Sequence, residues 1–164
     1  MKKRLMISLA TGALMAAMLP GVASAAGTTQ ISGVGTFDAD GVCPDPPAEY
    51  SEFTDFTIVM TGDLEGCWYT KVITSKETPS GVYLETGEEV FVGSLDGGDD
   101  GTFTTTYRFE SKFAPDGSEI HGRCQHPIAA GSGTDGFAGA TGRVNFKDDV
   151  VTGDLNYKGH IKLR

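Results

Sequence analysis

The chain has 164 residues and a formal charge of −9, with 22 Asp+Glu against 13 Lys+Arg, 39% hydrophobic residues, 23 glycines and three cysteines. That length holds one domain with a real core rather than two. So acidic a surface repels phosphate backbones and anionic bilayers, which argues against nucleic acid and membrane surfaces as partners.

Residues 1–25 read as a signal peptide. Lys2, Lys3 and Arg4 form a positive start, Leu5 to Leu19 is apolar, Pro20 and Gly21 break the helix, and Ala23-Ser24-Ala25 has the small-x-small form cut by signal peptidase. The apolar run is shorter than the roughly 20 residues that span a bilayer, so a retained anchor is the weaker alternative. Cleavage after Ala25 removes three basic and no acidic residues, leaving a domain of 139 residues (26–164) with ten Lys+Arg against 22 Asp+Glu, a formal −12. No cysteine directly follows the cut, which argues against a lipoprotein. The expected location is extracytoplasmic. Cys43, Cys67 and Cys124 then sit in an oxidising compartment, where one disulfide and one remaining thiol is the simplest count.

After the signal the repeat is alternation of period two, broken at short intervals by Gly, Asp and Pro, as in all-β chains. Strands are expected over about 29–38, 53–62, 67–74, 81–94, 102–113, 118–126, a seventh ending near Phe146, and an eighth from Leu155. The fourth carries a break at Thr86-Gly87. The clearest is the fifth, where Phe103, Thr105, Tyr107, Phe109, Ser111 and Phe113 share one face and Thr104, Thr106, Arg108, Glu110 and Lys112 the other. The eighth repeats this, with Leu155, Tyr157, Gly159, Ile161 and Leu163 opposing Asn156, Lys158, His160, Lys162 and Arg164. A Pro-rich loop with Cys43 follows the first strand, Asp63-Leu64-Glu65-Gly66 is a turn before the third, and Pro115-Asp116-Gly117 a hairpin turn. Connections this short join antiparallel neighbours.

Eight antiparallel strands in sequence order close into an up-and-down β-barrel without exposed edges, a size that is either just filled or holds one small ligand. An open two-sheet sandwich is the alternative. In the barrel, the start of strand three and the end of strand six share a rim, which pairs Cys67 with Cys124 and leaves Cys43 at the opposite rim. The glycines between His126 and Phe146 mark a bend in the sheet.

Several segments resemble a known family: MTGDLEGCWY (60–69), EEVFVGSL (88–95), GTFTTTYRF (101–109), GRCQHPI (122–128) and GSGTDGFAGATGRVNFKDD (131–149). They are similar to uncharacterised secreted bacterial proteins with the allene oxide cyclase-like barrel, related in shape to plant dirigent proteins. The resemblance covers about residues 55–164. It implies an eight-stranded barrel and, by the roles of characterised members, cofactor-free handling of small apolar oxygenated molecules. It transfers no catalytic residue to this chain.

The residues themselves add candidates. Gly131-Ser132-Gly133-Thr134-Asp135-Gly136 fits G-x-G-x-x-G, but the glycines that follow rule out the helix a dinucleotide site requires. His121, Cys124 and His126 lie close together; alternation puts only Cys124 and His126 on one face, too few ligands for zinc, so no metal site is expected. Asp96, Asp99 and Asp100 make a hairpin turn in preference to a calcium loop. The inward face presents Phe103, Tyr107, Phe109 and Phe113, then Leu155, Tyr157 and Ile161, then Ile120, Cys124, His126 and Ile128. Phe103, Tyr107, Phe109 and Tyr157 are the expected ligand-binding residues, with Gly122 and Gly159 leaving space beside them. Solid core packing is the competing account of the same residues. Glu89 and His126 are the catalytic candidates, since a desolvated inward carboxylate can serve as acid or base. No cofactor is called for. The chain thus reads as a secreted barrel binding a small apolar ligand in its lumen. A cofactor-free isomerase or cyclase and a ligand-free extracellular module are the alternatives.

Overall fold

The computed structural model describes residues 27–163; the segment expected to be a signal peptide and Arg164 lie outside the described residues. Eight strands follow in order: β1 (Thr28–Phe37), β2 (Phe56–Gly62), β3 (Leu64–Glu77), β4 (Val82–Leu95), β5 (Gly101–Phe113), β6 (Glu119–Pro127), β7 (Thr141–Asp148) and β8 (Leu155–Lys162). Each pairs antiparallel with the next. The circle closes where β1 meets β8, from Thr28↔Lys162 to Gly35↔Leu155. The chain is therefore a closed up-and-down barrel, and the open sandwich is excluded.

Alternation sorts the side chains. Phe103, Thr105, Tyr107 and Ser111 on β5 are buried, and so are Leu155, Tyr157 and Ile161 on β8. The four odd-numbered strands end at one rim, here called the mouth; the other end is the floor. The floor is packed solid. Trp68, Phe91, Phe103 and Phe137 are all 0% exposed, with ring centroids 5.0–5.7 Å apart along their contacts. Phe137 comes from a 3₁₀ turn (Asp135–Phe137) within the glycine-rich stretch. That stretch does more than bend the sheet: it folds under the barrel and plugs it. Glycine is required there by space, because a Cβ on Gly136 would lie 2.0 Å from the Asp99 carbonyl oxygen.

Three local expectations need correction. Leu64 is in β3, not in a turn: its side chain is fully buried and its N–H donates to the Tyr157 hydroxyl at 2.8 Å. Ile120 does not face inward, because the β5–β6 register shifts between Lys112 and Phe113, and this turns Ile120 out and Glu119 in. Gly159 leaves no room for a ligand; a Cβ there would meet the Arg143 carbonyl oxygen at 2.1 Å, so it serves close strand approach.

The disulfide also differs. Cys43 is bonded to Cys67, with Cα atoms 5.9 Å apart, and Cys124 is free and buried. Cys67, near the floor end of β3, points out of the wall, whereas Cys124 lies within β6 and points into the lumen, so the two cannot meet. The long β1–β2 connection runs back along the outside of β3 and β4. There Phe53, Tyr69 and Val90 form a second small core with Tyr50, Val92 and both bridged cysteines. Tyr69 donates its hydroxyl to the Pro44 carbonyl at 2.8 Å, fixing the loop beside the bridge.

Candidate functional site

Between mouth and floor the barrel is hollow. A cavity of about 480 Å³ is lined by apolar groups of five strands, including Phe37, Phe56, Ile58, Phe109, Phe146 and Leu155. A wider concavity on the outer wall, near Lys76, Arg108, Glu110 and Arg123, is lined largely by charged and hydroxyl side chains. Among the described residues, the lumen combines apolar walls with converging buried polar groups.

At its inner end β4 and β6 bring Glu89 against His126, 1% and 3% exposed. Glu89 Oε2 accepts from Thr105 Oγ1 at 2.7 Å and meets His126 Nδ1 at 2.5 Å, while Oε1 accepts from Thr70 Oγ1 at 3.3 Å. A carboxylate only accepts, so Nδ1 carries the hydrogen. Nε2 is buried without a hydrogen-bond partner. The imidazole is held flat against Tyr107 and edge-on to Trp68 and Phe146, which fixes the ring plane. Such an arrangement can hold a proton at Nε2 or take one there.

Above it, Glu85 Oε1 accepts from the Tyr107 hydroxyl at 2.7 Å and Oε2 from the Tyr83 hydroxyl at 2.5 Å. Burial pushes the Tyr107 phenol up, and the hydrogen bond and charge of Glu85 push it further. Tyr83 is raised first by its bond to Glu85. Both phenols stay protonated and donate. Room for the Tyr107 ring comes from Gly87 on β4, where a Cβ would lie 2.4 Å from a ring carbon.

Nearer the mouth on the same side, Asp148 on β7 faces Glu119 on β6, and Glu119 Oε1 accepts from Ser111 Oγ at 2.6 Å. The Asp148 carboxyl is pushed up to about 7 by desolvation, then by the charge of Glu119 and their hydrogen bond. Both carboxylates lean over Gly122, so the space left by that glycine is already taken. The Cys124 thiol is pushed up by burial and by the charges of Glu89 and Asp148, which makes it a poor nucleophile.

Of the expected residues, Glu89, His126, Tyr107 and Phe109 line this cavity, and so does Cys124. Phe103 and Tyr157 do not. Phe103 is part of the floor, and the Tyr157 hydroxyl bridges the Leu64 N–H and the Thr61 carbonyl below the cavity. Tyr83, Glu85, Glu119 and Asp148 were not anticipated. Glu85 shares the parity of Glu89, a signal hidden by treating Thr86-Gly87 as an interruption. Among the described residues no three His, Cys, Asp or Glu side chains are grouped to hold a metal ion. No protein-family model matches the chain, and no curated protein matches it.

Proposed function

We propose that this protein is an exported barrel that binds one small, predominantly apolar molecule in its lumen. The observation that carries this reading is the cavity of about 480 Å³, walled by aromatic and aliphatic side chains. Its size lies within the roughly 300–1,000 Å³ typical of ligand sites, and its few polar groups are placed as orienting groups are. The apolar lip at the mouth, with Phe37 55% and Val150 48% exposed, suits entry of an apolar body. Export is supported by the Cys43–Cys67 disulfide, a bond that persists in oxidising compartments. No helix among the described residues is long and apolar enough to cross a membrane. The test is a thermal-shift panel of neutral lipids, phenolics and apolar amines on the protein and on Ile58→Trp, which fills the lumen. Hits expected for the first should vanish for the second. A flat panel would leave a ligand-free structural module.

A second reading, a cofactor-free isomerase or cyclase, draws support from one observation: the buried Glu89–His126 pair with Nε2 unpartnered. In this reading His126 moves the proton and Glu89 sets the tautomer and stabilises the imidazolium. With a ligand in hand, His126→Gln should bind it within a few fold and lose turnover. Undiminished conversion by that variant would reject the role.

A further inference from the structure

We propose that the lumen selects a ligand whose apolar body carries a protonated amine, and rejects carboxylates. This rests on the lumen-binding reading and names the chemistry it takes. The lining includes five acidic side chains (Glu85, Glu89, Glu119, Asp148 and Asp149) and, among the described residues, no lysine or arginine. Only Glu89 has an ionisable partner of opposite sign, His126.

The hydrogen-bond inventory points the same way. The lining hydroxyls are already committed as donors, Tyr83 and Tyr107 to Glu85, and neighbouring Ser111 donates to Glu119. What remains uncommitted accepts. His126 donates through Nδ1, so in the neutral ring its buried, unpartnered Nε2 is an acceptor. The Glu119–Asp148 pair, nearer the mouth on the adjoining strands β6 and β7, adds carboxylate oxygens. An incoming carboxylate meets like charge and, apart from the weakly donating Cys124 thiol, no uncommitted side-chain donor in the lining. An ammonium brings three donors and the opposite charge. The rings of Tyr83, Phe109, Phe37 and Phe56 near the mouth add faces on which a cation is attracted as it enters.

The test is calorimetric titration of the purified protein at pH 8 with decylamine, decanol and decanoate, each below its micellar concentration. These differ only in the head group. The amine should bind at least about tenfold tighter than the alcohol, roughly 1.4 kcal/mol, and decanoate should be weakest. In the double variant Asp148→Asn, Glu119→Gln the amine-to-decanol affinity ratio, measured within that protein, should shrink by about tenfold. Decanol equal to decylamine, or decanoate equal or better, would overturn the amine proposal and leave lumen binding standing. Binding of none of the three, with no co-purifying adduct either, would remove both.

Discussion

At the residue scale the lumen is governed by who donates and who accepts. Glu89 takes three hydrogen bonds in a site almost closed to water, so removing it strands Thr70, Thr105 and His126 together. Leaving buried donors without an acceptor costs about 1–3 kcal/mol. Glu89→Ala should fall in that range by chemical denaturation, and a loss under about 1 kcal/mol would show that the pair is not closed as described. Asp148 makes the opposite contribution. Its folded pKa of about 7 lies above its ordinary 3.8, so the folded state binds this proton more tightly. The stabilisation is full below the lower value and is lost as pH rises through the higher one. Asp148→Asn should therefore melt a few degrees above the unsubstituted protein at pH 8, with the advantage gone at pH 4. Thermal unfolding at both pH values reads this directly. An advantage that did not change with pH would contradict a carboxyl raised by its burial beside Glu119.

At the element scale, two segments outside the strands do architectural work. The β1–β2 connection is clamped to the outer wall by Cys43–Cys67, with a sequence separation of 24. A loop of that size contributes about 3 kcal/mol in the chain-entropy account. Cys43→Ser with Cys67→Ser should lose about that much, and non-reducing peptide mapping should recover the two cysteines together with Cys124 unpaired. The glycine-rich β6–β7 connection supplies Phe137, fully buried against Phe91 and Phe103. Phe137→Ala should cost about 3–5 kcal/mol, far more than a change in a solvated connection. A cost near zero would mean that the plug is not seated.

Legibility in the sequence divides along the same lines. Strands β5, as far as Ser111, and β8 alternate cleanly, so their faces and the inward Tyr107 could be read directly; Phe113, expected to face inward, lies at the register shift and is exposed. Glu89 and His126 followed from the same parity. What alternation does not encode is the depth of a residue along the barrel axis. Phe103 and Tyr107 share a face, yet the first packs the floor and the second lines the cavity. Nor does it encode register shifts, and the one at Lys112 exchanged Ile120 for Glu119. Asp148 continues the parity of Phe146 but looks like the start of a turn. The disulfide was misassigned because rim position was weighed without the wall that separates the inside of the barrel from the outside.

At the scale of the whole molecule, an eight-stranded barrel stands between a filled core and a container. Here both occur along one axis. Trp68 and its aromatic partners seal the floor, and above them the lumen stays open to the mouth. The decisive claim is that this space holds a ligand. Native mass spectrometry of the exported, purified protein tests it most directly. The account predicts one small-molecule adduct per chain, absent from the lumen-filled Ile58→Trp variant. Reproducible recovery of the bare chain alone, under conditions gentle enough to preserve noncovalent complexes, would contradict it.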